Sequence, residues 1–222
     1  GMKLILQAIE VDDTDDRFIT AFMPSMNDEF YARRYFAAFQ GDYNYHSADD
    51  EIVTTRGMDF NIDAGVRTEI DDFKRTYAFT NAHLGFFNAL NRNRKLVLKT
   101  DVWTQIRFGN DFLFYQAANI GDRTGLRGYR TERFTGKNSL VGRADVRYAF
   151  DGFKTKWFPM QIGIFAGGDV GRVWNKGDFS RKWHNDYGGG FWIAVANSIA
   201  GTFNFFTGED GLRFSFGFGL NF

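Results

Sequence analysis

Apolar and polar residues alternate with a period of two along most of this chain. Met58, Phe60, Ile62, Ala64 and Val66 alternate with Asp59, Asn61, Asp63, Gly65 and Arg67, the pattern of a strand whose two faces meet different surroundings. Leu96, Leu98, Val102, Ile106 and Phe108 stand in the same way against Lys95, Lys99, Asp101, Gln105 and Arg107. Gly142, Ala144, Val146, Tyr148 and Phe150 stand against Arg143, Asp145 and Arg147, and the chain closes on Phe214, Phe216, Phe218, Leu220 and Phe222. Less regular strands are expected at 3–11, 17–23, 34–45, 75–86, 112–117, 160–174, 187–196 and 201–207. That makes about twelve strands, within the range of single-chain outer-membrane barrels. Polar or glycine-rich segments at 12–16, 47–51, 88–94, 175–186 and 208–211 punctuate them. No linker or amphipathic helix divides the chain, so one domain is expected over 1–222.

The chain is 44% hydrophobic, yet its longest unbroken apolar run is 191–196, far short of the about 20 residues a spanning helix needs. About twelve strands of roughly 10 residues use on the order of 120 of the chain and leave about 100 for loops. In such a barrel the aromatic face meets lipid and the charged face lines the lumen, which accommodates 18% aromatic and 24% charged residues together. A soluble sandwich or barrel turns the same faces the other way. Glycines inside the strand patterns, among them Gly163, Gly167 and Gly188 to Gly190, suit a large curved sheet. Aromatics near expected strand ends, Tyr43, Tyr45, Phe86, Phe87, Trp157, Phe158, Trp174 and Trp183, suit interfacial girdles. These favour the membrane reading: an all-β, antiparallel transmembrane barrel of ten to twelve strands.

Composition narrows function. With 27 Lys and Arg against 27 Asp and Glu the net charge is zero, which argues against nucleic acid as a partner. With no Cys there are no disulfides, thiolate metal sites or cysteine nucleophiles. The opening 2–6 is apolar but acids follow too soon for a secretory signal. Gly1 ahead of Met2 reads as a cloning remnant, leaving room for a lost upstream segment. His46, His83 and His184 are scattered and fit no catalytic spacing. The acidic runs at 12–16 and 49–51 lack the spacing of a calcium loop, and the glycine-rich stretches lack a phosphate-binding lysine. No enzymatic activity, metal or cofactor is expected.

The segment 121–150, GDRTGLRGYRTERFTGKNSLVGRADVRYAF, resembles the BamA-like bacterial surface antigen superfamily of outer-membrane barrels, most specifically at Leu126, Arg127, Gly128 and Tyr129. The segment 168–174, GDVGRVW, looks like that family's following-strand motif. The resemblance implies a loop around residues 118–138 folded into the lumen, with Asp169 on the inner wall as the partner of Arg127. Physics supports this, since a buried arginine needs a partner charge. Gly128 would let the tip turn, and Tyr129 would stack beside the guanidinium. Ser215, Gly217, Leu220 and Phe222 are similar to the C-terminal signal read by the barrel assembly machinery. The family's five strands after the loop would leave about seven ahead of it.

The resemblance implies a bacterial outer-membrane location, lipid contact, and a role in inserting or transporting client polypeptides, or in anchoring an upstream POTRA or hydrolase domain. A small-solute pore is the alternative from another class, and a soluble β-protein is a further one.

Overall fold

A computed structural model describes residues 1–11, 32–71, 73–109, 112–175, 177, 182–196 and 198–219. Ten long strands form one antiparallel sheet in chain order: β1 (Met2–Ile9), β2 (Arg34–Ala48), β3 (Gly57–Glu69), β4 (Thr76–Ala89), β5 (Leu96–Phe108), β6 (Asn138–Ala149), β7 (Pro159–Trp174), β8 (His184–Val195), β9 (Ile199–Gly208) and β10 (Gly211–Gly219). The two-residue strand Phe153–Lys154 adds to the start of β7. Because neighbours alternate in direction, the connections fall at two mouths. The near mouth carries Gly1 and the 49–56, 90–95 and 150–158 connections; the far mouth carries the 70–75 and 109–137 connections and the 209–210 turn.

Strand parity sorts the side chains as the period of two requires. Along the middle of the sheet Val102, Val146, Ile164, Phe191 and Phe205 point outward and are exposed. Their alternates Asp101, Arg147, Phe165, Trp192 and Phe206 are buried inside. The outer face of β10 is apolar throughout, Leu212 followed by three phenylalanines, with Phe214 82% and Phe218 71% exposed. An exposed face so rich in aromatics belongs against hydrocarbon, and a charged inner face belongs in a lumen. The sheet curls strongly. Ile52, between β2 and β3, packs in one cluster with Phe165 of β7, Trp192 of β8 and Phe206 of β9.

Register brings the inner charges into lateral rows. Asp101 faces Arg143, Arg143 faces Asp169, and Asp169 faces Asp186. Inward glycines make room for large neighbours: a Cβ on Gly163 would stand 2.3 Å from Trp192 Cε2, and one on Gly167 would stand 1.8 Å from Asp145 Oδ1.

Ten strands is the lower end of the expected ten to twelve. Among the described residues five precede the 109–137 connection, where about seven were expected, and five follow it. The strand expected at 112–117 is a 3₁₀ turn over Phe114–Gln116. Its Gln116 carbonyl accepts a hydrogen bond from Arg107 Nε at 2.8 Å, so the segment folds over the wall instead of extending it. The strand expected at 17–23 lies outside the described residues. Phe87, expected in an outer girdle, faces inward and is 6% exposed, beneath Lys99 and Arg147.

Facing predicts mutational cost. Val102→Lys, at the middle of β5 on the outer face, is expected to cost about 2–4 kcal/mol of folding free energy in lipid. Gln40→Lys, inward at the middle of β2, should cost well under half of that. Urea titrations of vesicle-folded protein give both values, and equal losses would mean the faces are assigned wrongly.

Candidate functional site

The 109–137 connection folds into the lumen from the far mouth. Its base is a short ladder of Ala118–Ile120 with Phe134–Gly136. Its tip is turned by Thr124 N–H and Leu126 N–H donating to the Gly121 carbonyl, at 3.0 and 2.9 Å. Gly125 has φ of +107°, a left-handed conformation, and a Cβ there would also meet Val141 Cγ1 at 2.5 Å. Leu126 and Tyr129 are fully buried with Ile120 and Val141, against Trp103, Phe134 and Val173.

Arg127 lies between these two anchors and makes five hydrogen bonds to two carboxylates. Its backbone N–H donates to Asp169 Oδ2 at 2.9 Å, Nε to the same oxygen at 3.0 Å, and Nη2 to Asp169 Oδ1 at 2.7 Å. Nη1 donates to Asp145 Oδ2 at 3.0 Å and Nη2 to Asp145 Oδ1 at 2.7 Å. The guanidinium also sits 3.9 Å over the centroid of the Phe206 ring. Planar, doubly bidentate recognition of this kind is what arginine provides and lysine does not. Arg143 Nε reaches Asp169 Oδ1 at 3.1 Å from the neighbouring strand, so Asp169 serves two cations.

The expected pairing of Arg127 with Asp169 is therefore present, with Asp145 as a second partner. Asp145 sits on the charged face of a strand legible in the sequence, so parity alone could have proposed it. Phe206 had no such signal, since its strand is weakly patterned. The ring that takes the guanidinium face is Phe206 rather than Tyr129. Tyr129 packs edge-on to Phe134 at 5.1 Å and donates its hydroxyl to the Asn185 carbonyl at 3.1 Å. Gly128 is needed for proximity: a Cβ would stand 2.6 Å from Asp186 Cβ. Asp186 is 3% exposed, and neither of its carboxylate oxygens has a hydrogen-bond partner.

A second loop, 49–56, enters from the near mouth, and nothing in the sequence announced it. Its acids build the turn. Asp50 Oδ1 accepts from the Ile52 and Val53 N–H groups, and Asp49 Oδ1 from those of Thr55 and Arg56. Asp49 Oδ2 takes the Thr55 hydroxyl and Arg94 Nη1. The turn delivers Ile52 and Thr54, 7% and 3% exposed, into the lumen, where the Thr54 carbonyl accepts from Arg147 Nη2 at 2.5 Å. Ile52 joins the cluster that contains Phe165 and Phe206. Those two rings also flank the Arg127 guanidinium, so the loops from opposite mouths meet on one pair of aromatics.

The remaining expected positions fall as follows. Ser215 and Gly217 face inward on β10, where Ser215 Oγ accepts from Asn204 Nδ2 at 3.2 Å. Leu220 and Phe222 lie outside the described residues, as does the 12–16 acidic run. The three histidines line the inner wall: His46 beside Asp59, His83 Nε2 2.9 Å from Asp101 Oδ1, and His184 stacked on Phe134. Among the described residues no group of three or more His, Asp or Glu is placed to hold a metal ion.

No protein-family model and no curated protein matches the chain. Among sixteen matching solved chains is the crystal structure of BamA from Haemophilus ducreyi lacking POTRA domains 1–3, at a TM-score of 0.67 and 16% identity. The match covers 98% of this chain and 49% of that one, so this chain spans about half its length. At that identity the likeness establishes the fold, which is that of the BamA barrel.

Two predictions follow from the clamp and the near-mouth turn. Arg127→Ala removes the cation that two buried carboxylates share and should cost about 3–5 kcal/mol, as should Asp169→Asn. Asp186→Asn should cost nothing, because no cation loses a partner; denaturant midpoints of the three variants test this. For Asp49, burial works against ionisation but is outweighed by the Thr55 hydroxyl and the Arg56 and Thr55 N–H groups, which hold the carboxyl down at about 2 from 3.8. A depressed carboxyl stabilises the docked loop above pH 3.8 and loses that contribution as pH falls towards 2. Hydrogen-exchange protection at Thr55 and Arg56, whose N–H groups Asp49 accepts, should therefore fall across that window, and Asp49→Asn should remove the step.

Proposed function

We propose that this chain is a non-enzymatic bacterial outer-membrane barrel that handles polypeptides, helping other β-barrel chains insert into or cross the membrane. The observation that carries this reading is the Arg127 clamp, a loop tip locked to the inner wall within a barrel of the BamA fold. A lumen filled from both mouths suits a protein that works at its wall and rim better than one that conducts solutes. On this reading its partners are outer-membrane lipids, the assembly machinery during biogenesis, and client strands. A client strand recognises an unpaired sheet edge through main-chain hydrogen bonds, with alternate side chains facing lipid. The first and last strands of the sheet order, β1 and β10, are where such an edge would be offered to a client. The apolar outer face of β10 would extend the lipid-facing surface that such a client joins.

Vesicles bearing the protein should accelerate folding of an unrelated outer-membrane barrel at least several-fold over empty vesicles. Equal rates would reject the insertion role. The competing pore reading predicts ion conductance that rises in Arg127→Ala or Asp169→Ala. On the present proposal single-channel recordings of the native chain stay silent, and a steady open conductance would overturn it.

A further inference from the structure

Between the tip of the far-mouth loop and the inner faces of β3, β4 and β5 lies a cavity of about 280 Å³. Arg123 and Thr124 line it from the tip, and Asp63, Asn81, Gln105 and Arg107 line it from the wall. Arg107 is 9% exposed, yet every acceptor it meets is neutral. Its Nε donates to the Gln116 carbonyl at 2.8 Å, and Nη1 donates to Asn81 Oδ1 at 2.8 Å and to the Ile106 carbonyl at 3.2 Å. Nη2 has only Gln105 Oε1, at 3.4 Å, which is long for a hydrogen bond and leaves that edge of the fork open to a stronger acceptor. The acid of the cavity, Asp63, is reached only through Asn81, whose Nδ2 donates to Asp63 Oδ2 at 2.8 Å.

Arg123 is exposed, and among the described residues its side chain has no hydrogen-bond or ion-pair partner. Beside it Thr124 Oγ1 is buried and also without a partner. His83, on the same wall, is taken up by Asp101 at 2.9 Å. Two guanidiniums therefore face one carboxylate, and the cavity carries one positive charge in excess. Taking a guanidinium out of water is costly unless negative charge meets it. A planar carboxylate monoanion supplies that charge, and its two oxygens suit the N–H edge of a guanidinium, whereas a phosphate dianion brings one charge too many. The molecule answers the same demand at Arg127 with carboxylates of its own. We propose that this cavity binds the carboxylate group of a small molecule between Arg107 and Arg123, with the Thr124 hydroxyl as a further donor.

The two arginines play different parts. Arg107 is fixed to the wall by its hydrogen bonds, while Arg123, on the short Asp122–Thr124 turn, is free to adjust to the bound group. The clamp sets where that turn lies, since Arg127 follows it closely in the chain and is locked to Asp145 and Asp169. A docked loop is thus a condition for an intact site. The cavity is built by the inner wall and the loop tip, independently of any role in polypeptide insertion, so a protein that fails to accelerate client folding still binds carboxylate.

The test uses the full chain folded in a maltoside detergent, which carries no carboxylate of its own. Titration with sodium acetate should raise the thermal unfolding midpoint saturably, beyond sodium chloride at equal ionic strength. Acetamide, the neutral isostere, and sodium phosphate should each bind at least tenfold more weakly. Arg123→Gln removes a side chain that has no partner to lose and should weaken acetate binding at least tenfold. Asn61→Asp adds a second carboxylate to the lining with both cations in place and should do the same. Arg130→Gln makes the same charge change on the same loop outside the lining and should leave the affinity unchanged. Heat-modifiable gel migration shows that each variant is folded. The proposal is overturned by the absence of a saturable acetate shift, by equal affinity in Arg123→Gln and the native chain, by an equal loss in Arg130→Gln, or by acetamide or phosphate binding as tightly as acetate.

Discussion

A guanidinium withdrawn from water must be met by negative charge, and Arg127 is met twice, by Asp145 on β6 and Asp169 on β7. Much of the surrounding structure follows from that demand. Both carboxylates have to face inward on neighbouring strands, which fixes the β6–β7 register, since a slip of one residue would turn one of them out to lipid. Asp145 needs space beside β7, and the absence of a side chain at Gly167 supplies it. Gly128 must lie against Asp186 for the tip to descend far enough, and Leu126 and Tyr129 on either side hold the arginine at that depth by burial.

The clamp is also where two otherwise separate parts of the molecule meet. Phe165 and Phe206 lie under the guanidinium and belong to the same buried cluster as Ile52. The near-mouth loop is itself well determined, because Asp49 and Asp50 satisfy four backbone N–H groups that would otherwise be left without partners at a tight turn. Contact with one shared pair of rings gives the two loops a physical route by which movement of one changes the surroundings of the other.

Strand positions in the second half were legible because outward Val146, Tyr148 and Phe150 alternate with inward charges, and the Arg127 to Asp169 pairing was implied by the resemblance of 121–150 and 168–174 to the BamA-like superfamily. What escaped depends on the closure of the sheet. Parity places Asp145 on the inner wall, and the β6–β7 register is what sets it close enough to Asp169 for one guanidinium to reach both. Phe206 and Ile52 become neighbours because a curled sheet brings together segments that the chain keeps far apart. Segment 112–117 has the composition of a strand, but Gln116 is drawn to Arg107 and the segment rides over the wall instead. Phe87 looked like a girdle residue because aromatic character alone does not reveal which face of a strand it occupies.

The two inward loops also differ in how much chain they tie together. The Arg127 clamp joins residues at most 42 apart, whereas the Thr54 to Arg147 bond joins residues 93 apart. For an otherwise unstructured chain the longer closure costs only about 0.7 kcal/mol more, since that entropy grows with the logarithm of length. The difference matters for timing more than for stability, as contacts close in sequence are found sooner by a diffusing chain. The clamp and the strands it joins form a local nucleus, while the 49–56 loop is a distant fastener whose partners have to be gathered from both halves of the polypeptide.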